Sequence, residues 1–192
     1  MEQIPLFEVQ VPTRPDTTRT DRTVTPKAPA QAKPAPAANG NRPHVRQIIE
    51  RAIQVLGVID QDVYCLTPDI PAKVHYFPDD NGLQQKWRGR VWLNAPSGRA
   101  VAKWAEKLRC EYEEGEVTEA IGLFPGRANA DWWEHLKQYP FCAIHGKLVL
   151  IKPDRRESLS TTAEAVVYLG SQLARFATVF EKVGAIYIPY LE

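Results

Sequence analysis

Strand-like apolar runs alternate with helix-like segments over residues 43–190, and this alternation constrains the fold more than any other feature. The pattern predicts helices over 45–56, 101–112, 130–137 and 173–180. Short apolar runs bounded by turn residues predict strands over 58–64, 73–77, 90–93, 118–124, 141–144, 147–151, 163–169 and 185–190. Strands and helices of these lengths in alternation are typical of an α/β sheet with helices on its faces.

The first predicted helix has recognisable boundary residues. Asn39 or Asn41, placed before Pro43, suits a helix start, because short polar side chains cap the free N–H groups of a first turn. Gly57 suits the helix end. We therefore expect a domain over 42–192.

Residues 1–41 have a different composition from the rest of the chain. The stretch 26–38 is rich in Pro and Ala and has no aromatic residue, which predicts a disordered, extended tail. Ahead of it lies the small apolar patch Ile4-Pro5-Leu6-Phe7-Glu8-Val9. This patch is either a docking segment for a protein partner or simply the original N-terminus.

Composition excludes several classes of protein. Hydrophobic residues make up 44% of the 192 residues, enough for a core. No apolar run approaches the roughly 18 residues of a membrane span, and the N-terminus lacks the pattern of a signal peptide, so we expect a cytoplasmic protein without membrane contact. The formal net charge of +1 is not that of a protein that coats nucleic acid. Cys65, Cys110 and Cys142 have no zinc-ligand or redox spacing, so the sequence predicts no metal site.

The predicted strand 90–93 runs into the turn Asn94-Ala95-Pro96-Ser97-Gly98. Taken alone, this is a strand-ending turn before a helix. Several other short sequence motifs occur together with this turn, in a fixed order along the chain, and make it more informative. These motifs, or blocks, are 55–62, Tyr76-Phe77, 80–83, Trp87, 89–94, Leu123-Phe124-Pro125-Gly126-Arg127, Asp131-Trp132-Trp133, His145-Gly146-Lys147-Leu148 and 165–170. Through them, segment 43–190 resembles the phage-type DNA N-6-adenine methyltransferase (Dam) family of phages and prophages.

The resemblance implies a compact Rossmann-like methyltransferase sheet with helices on both faces. It also implies S-adenosylmethionine as cofactor, DNA as partner and methyl transfer to adenine N6. The family's Asn-Pro-Pro-Tyr motif holds the amino group and stacks on a flipped base. The matching residues here, Asn94, Ala95, Pro96 and Ser97, are therefore the candidate catalytic residues.

The chain departs from the family at three places. Its usual Thr-Pro-Pro is replaced by Asn41-Arg42-Pro43-His44, and a turn of small residues by Val63-Tyr64-Cys65. In the catalytic motif, Ala95 replaces a proline and Ser97 replaces the aromatic residue. Such changes, in a chain that otherwise matches the family's motifs, indicate an active site that is altered or has lost its activity.

The resemblance also implies ligand contacts outside this motif. It places Asp62 at the cofactor, where a carboxylate can pair with the aminoacyl group or a ribose hydroxyl, and Asp60 is the alternative register. Candidate DNA contacts are Arg127, Arg99 and Trp132. Lys86, Arg88 and Arg90, together with Arg99, form either a basic rim or a set of solvated charges.

Three functions remain open at the level of sequence. The first is an S-adenosylmethionine-dependent DNA adenine-N6 methyltransferase, favoured by Asn94 and the complete set of blocks. The second is a catalytically inactive methyltransferase-like module that binds DNA or protein, favoured by Ala95 and Ser97. The third is an interaction protein that recruits a partner through Ile4 to Val9.

Overall fold

The computed structural model describes residues 43–190 apart from 69, 127–130 and 153. The tail, with its apolar patch from Ile4 to Val9, and the candidate DNA contact Arg127 lie outside the described residues. Four α-helices are present in this part of the chain: α1 (Val45–Leu56), α2 (Val101–Glu113), α3 (Asp131–Leu136) and α4 (Leu173–Phe180), besides short 3-10 turns at Pro78–Asp80 and Gly82–Gln84. The described strands are β1 (Ile59–Asp62), β2 (Ala72–His75), β3 (Gly89–Asn94), β4 (Val117–Pro125), β5 (Phe141–Ile144), β6 (Val149–Ile151), β7 (Glu157–Leu159), β8 (Glu164–Leu169) and β9 (Gly184–Tyr187).

Seven of these strands form one mixed sheet in the order β2-β1-β3-β4-β8-β5-β9. The pairs from β2 to β4 are parallel, whereas those from β4 through β8 and β5 to β9 are antiparallel. The fold is therefore α/β, as the alternation predicts. The parallel half comes first in the chain and the antiparallel half follows.

Helices cover both faces of the sheet. Residues of α1 and α4 share one core with Trp92, Ile121 and Leu123. Residues of α2 and α3 share a second core with Leu93 and Phe124. Neighbouring strand residues enter opposite cores because side chains alternate across a strand. These two cores hold the strand ends of the parallel half in fixed positions.

The structure corrects one predicted boundary and bears out others. Helix α1 begins at Val45, and its cap is His44 rather than Asn39 or Asn41. The Nδ1 atom of His44 accepts the N–H of Arg46 at 3.1 Å, which satisfies a donor of the first turn. Gly57 follows the last helical residue, at φ +75°, as its freedom from a Cβ atom allows.

The small second sheet is the main element that sequence patterning misses. Strand β6 pairs with β7, which was not predicted, instead of joining the main sheet. The hairpin is tied to the start of α1, because the N–H of Val149 donates to the carbonyl of Pro43 at 3.0 Å. Over the described ranges, none of the helices combines the length and apolar character that crossing a membrane requires.

Candidate functional site

A cavity of about 890 Å³ opens at the carboxyl ends of the parallel strands. Its walls include the last residues of three of them: Asp62 of β1, Asn94 of β3 and Pro125 of β4. One face of α1 and the β6–β7 hairpin form the opposite walls. The volume is within the roughly 300–1,000 Å³ range of small-molecule sites.

The position of this cavity follows from the strand order. The chain passes from β1 to β2 on one side and then returns to β3 on the other side of β1. In open α/β sheets, such a reversal leaves a crevice outside the carboxyl ends of the two strands where ligands bind. Asp62 and Asn94 end these two strands, so the fold places both at that crevice.

The four candidate catalytic residues Asn94, Ala95, Pro96 and Ser97 all line this cavity. The N–H of Ala95 donates to the carbonyl of Leu123 at 3.0 Å and extends the pairing of β3 with β4. A proline at this position has no N–H and could not make that bond. Ser97 is exposed and also lines a second cavity of about 470 Å³.

Asp62 is the more buried of the two candidate cofactor residues, at 1% exposure. Burial raises the pKa of its carboxyl group, and the nearby Cys65 and His75 side chains lower it by a smaller amount. Among the described residues, its Oδ1 has no hydrogen-bond partner, and the same is true of Nε1 of Trp92. Trp92 pairs in register with Asp62 and also lines the cavity. Buried polar atoms without partners are uncommon, and here they border a space that can hold a ligand.

Asp60 lies two residues before Asp62 on the same strand but does not line the cavity. Its carboxylate accepts Nζ of Lys73 at 2.6 Å and the N–H of Arg90 at 2.8 Å. The hydrogen bond from Lys73, followed by that from Arg90, lowers the pKa of Asp60. Of the two registers, the geometry thus brings only Asp62 to the cavity.

The two candidate DNA contacts that the structure describes, Arg99 and Trp132, both lie at the second cavity but differ in exposure. Arg99 is exposed and lines the second cavity. Trp132 lines the same cavity but is only 1% exposed. Its ring stacks on Phe124 with centroids 4.8 Å apart, and its Nε1 donates to the carbonyl of Pro125 at 3.0 Å. These contacts are those of a core side chain.

The suggested basic rim is not assembled around Asn94. Lys86, Arg88 and Arg90 lie at the amino end of β3, and Asn94 is four positions beyond Arg90, roughly 13 Å along a strand. Arg88 is paired there with Glu116 at 3.4 Å. Only Arg99 of this group follows the carboxyl end of β3.

Glu164 of β8 is a cavity residue that sequence reasoning missed. Burial raises the pKa of its carboxyl group to about 7, against a smaller lowering by a hydrogen bond with Ser160. Ser160 is itself buried, and its hydroxyl accepts the N–H of Leu148 and donates to the carbonyl of Thr162. No local pattern could reveal this, because Glu164 reaches the cavity only through the antiparallel pairing of β8 with β4.

Helix α1 contributes Arg46 and Glu50 to the cavity wall, and Lys152 follows β6. The cavity therefore offers groups of both charges beside an apolar surface. Such a surface suits a small molecule that is partly polar and partly apolar.

In comparisons with protein-family models, with curated proteins and with solved structures, nothing matches this chain.

Proposed function

We propose that this protein is an S-adenosylmethionine-dependent DNA adenine-N6 methyltransferase of the phage or prophage type, or a divergent member of that family acting in the cytoplasm. One observation supports this above all others. Asp62 and Asn94 end the two strands that flank the reversal of strand order, and both line one cavity. A Rossmann-like sheet would bind its ligand at this point of reversal.

The cavity has properties suited to S-adenosylmethionine. Its volume of about 890 Å³ is ample for a nucleoside with an aminoacyl chain. Asp62 offers an acceptor without a partner to a ribose hydroxyl or to the ammonium group. The apolar side chains of α1 and Trp92 would contact the adenine ring. When bound, this cofactor supplies an electrophilic methyl group on its sulfonium.

Asn94 and Ala95 would prepare the amino group of adenine. The lone pair of adenine N6 is delocalised into the ring, which makes N6 a weak nucleophile. The side-chain oxygen of Asn94 and the carbonyl oxygen of Ala95 can each accept a hydrogen bond from one of the two N6 hydrogens. These bonds would localise the lone pair on N6 and orient it toward the methyl group of the cofactor. S-adenosylmethionine held in the cavity would supply the methyl group, and N6, on accepting it, would lose one proton to solvent.

A second candidate function is a catalytically inactive methyltransferase-like module that binds DNA or protein. Ser97 favours it, because a hydroxymethyl group has no face on which a base can stack, and stacking contributes roughly 1–3 kcal/mol per base. The burial of Trp132 also favours it, because this ring does not replace the missing aromatic residue. Either function uses the same cavity.

Methyl transfer from labelled S-adenosylmethionine to unmethylated DNA tests the enzyme directly. We expect label in N6-methyladenine with the natural chain and a loss of at least about 100-fold with Asn94→Ala, because positioning and charge stabilisation at one site commonly contribute this much. Asn94→Asp is the matched control, since it keeps an acceptor oxygen and should retain more activity than Asn94→Ala.

Transfer that is unaffected by Asn94→Ala would overturn the proposed role of Asn94. Absence of transfer by the natural chain, together with calorimetric binding of S-adenosylmethionine, would favour the inactive module. Absence of both transfer and binding would overturn the proposal as a whole.

A further inference from the structure

Three side chains with metal-binding atoms meet at one end of the parallel half-sheet. They are Asp62 at the end of β1, Cys65 in the turn that follows, and His75 at the end of β2. The ligand atoms of the three residues lie within 4.8 Å of one another. Nδ1 of His75 lies 3.5 Å from Oδ2 of Asp62.

The backbone holds this cluster in place. Strands β1 and β2 are parallel, and Asp62 is opposite His75 in their register. Beyond the strand ends, the N–H of Tyr76 donates to the carbonyl of Asp62 at 2.9 Å, and the N–H of Cys65 donates to the carbonyl of Tyr76 at 2.8 Å. The turn that contains Cys65 is therefore bonded directly to the segment that contains His75. Ligands fixed in this way need little reorganisation to bind an ion.

Two polar atoms of the cluster have no hydrogen-bond partner among the described residues. They are Oδ1 of Asp62 and Nδ1 of His75, and both are shielded from solvent. A buried acceptor left unpaired costs about 1–3 kcal/mol, and more when it is charged. The contact of His75 is with the other oxygen of Asp62, Oδ2, so it does not give Oδ1 a partner. A cation between the two side chains would satisfy both atoms at once.

We propose that Asp62, Cys65 and His75 bind one divalent transition-metal ion of the zinc type. Carboxylate, thiolate and imidazole are the groups that bind zinc in proteins, at about 2.0–2.3 Å. A thiolate in the set disfavours magnesium and calcium, which prefer oxygen ligands. On binding, the thiol of Cys65 releases its proton to solvent, and the carboxylate and neutral imidazole donate their lone pairs.

Of the three proposed ligands, Asp62 is the one that also lines the large cavity. Tyr64, Leu66 and Thr67, on either side of Cys65, line that cavity as well. Three protein ligands with one open position is the arrangement of reactive zinc sites rather than of closed structural ones. The site shares Asp62 with the cofactor contact proposed above, so an ion bound to its Oδ1 would take the place of that contact. The test of the metal site requires neither S-adenosylmethionine nor DNA.

Sequence spacing gave no sign of this site. Nine residues separate Cys65 from His75, which is not a zinc-ligand spacing. His75 joins the other two only because β2 pairs with β1. The proposal therefore replaces the expectation, drawn from cysteine spacing alone, that the chain has no metal site.

Titration of the full chain with Co²⁺, after treatment with a chelator, tests the proposal, with Zn²⁺ added afterwards as competitor. Cobalt bound by a thiolate gives a charge-transfer absorption band in the near ultraviolet. We expect one equivalent of Co²⁺ per chain, a band that Zn²⁺ abolishes, and loss of the band in Cys65→Ser. We also expect His75→Gln, which lacks the imidazole, to bind Co²⁺ at least about 10-fold more weakly than the natural chain.

Cys110→Ser is the matched control, since Cys110 lies on α2, outside the cluster, and its loss should leave the band unchanged. Thermal unfolding without metal shows whether each variant is folded. Because Cys65 and His75 come from different elements, two independent variants test the site. No cobalt binding by the natural chain, or a band that survives Cys65→Ser, would overturn the proposal.

Discussion

The two halves of the sheet differ in what they bury. The parallel half, β2-β1-β3-β4, buries the polar side chains of Gln61, Asp62 and Glu119. In the antiparallel half, β8-β5-β9, the buried residues are apolar apart from the hydroxyl of Tyr168. The buried polar groups of the first half include Asp62, which borders the cavity, whereas the second half is packed against α4 through aromatic rings.

This difference indicates that the parallel half serves ligand binding and the antiparallel half provides stability. Buried polar groups lower stability unless they are paired, so a half-sheet that contains them depends on the rest of the protein to remain folded. Close-packed aromatic rings provide that stability through apolar burial and ring contacts. We therefore expect large losses of stability from substitutions in the antiparallel half, and losses of binding from substitutions at the ends of the parallel strands.

The largest expected effect comes from Phe176→Ala in α4. The ring of Phe176 is fully buried and lies 4.9 Å from the rings of both Tyr168 and Phe180, measured between centroids. Its removal should lower the free energy of unfolding by about 3–5 kcal/mol, because it leaves a cavity in the core. Urea denaturation measures this loss.

Asn94→Ala, in the parallel half, is the variant to compare with Phe176→Ala. Asn94 is only partly buried, so its loss should change the free energy of unfolding by less than about 1 kcal/mol while it lowers the proposed methyl transfer by at least about 100-fold. The separation of binding from stability would fail if Asn94→Ala destabilised the chain as much as Phe176→Ala.

The local structure of both halves follows from sequence patterns. The strand 141–144 and the helix 173–180 have the predicted bounds, and other elements agree to within a few residues. Alternation and three-and-four spacing are local properties of the chain, so they can be recognised without the fold. Asn94 and Asp62 were identified through a resemblance, and the structure brings both to one cavity.

The remainder of the candidate site depends on long-range pairing. Glu164 reaches the cavity because β8 inserts between β4 and β5. His75 reaches Asp62 because β2 pairs with β1 rather than with a later strand. The β6–β7 hairpin closes the cavity although it has only three residues in each strand. Such pairings depend on the whole chain, and no local pattern specifies them.

Tyr168→Phe tests a side-chain hydrogen bond that links the two halves. The hydroxyl of Tyr168 on β8 donates to Glu119 on β4 at 2.5 Å and accepts the N–H of Gln172 at 2.8 Å. Without it, the buried carboxylate of Glu119 keeps only a long contact of 3.4 Å with Gln172. We expect the free energy of unfolding to fall by about 2 kcal/mol, because a buried charged acceptor loses its donor.

The double variant Tyr168→Phe with Glu119→Gln shows whether the link acts as a pair. A neutral amide is less costly to leave unpaired than a carboxylate, so the double variant should lose less stability than the sum of the two single variants. Simple additivity, measured by urea denaturation, would mean that the halves are not joined through this contact.

The smallest expected effect concerns Glu164, the residue through which the antiparallel half adds a charge to the cavity. Its pKa is about 7 in the folded chain and near 4.5 when the group is fully solvated. Between these values the folded state binds more protons than the unfolded state, so stability falls as pH rises. Below about pH 4.5 the carboxyl group of Glu164 is neutral in both the folded and the unfolded state. Above about pH 7 it is ionised in both states, and the full free-energy cost of the partly buried charge lowers stability.

Glu164→Gln keeps the shape of the neutral acid but cannot ionise. The variant and the natural chain should therefore be equally stable at about pH 4, and the variant should be more stable by about 1 kcal/mol at about pH 8, once solvent screening of this partly exposed group is allowed for. Urea denaturation of both proteins across this range isolates the contribution of Glu164, because every other titrating group is common to the two. A difference that is constant with pH would show that Glu164 ionises with its ordinary pKa, and that its place at the cavity does not disfavour the charged carboxylate.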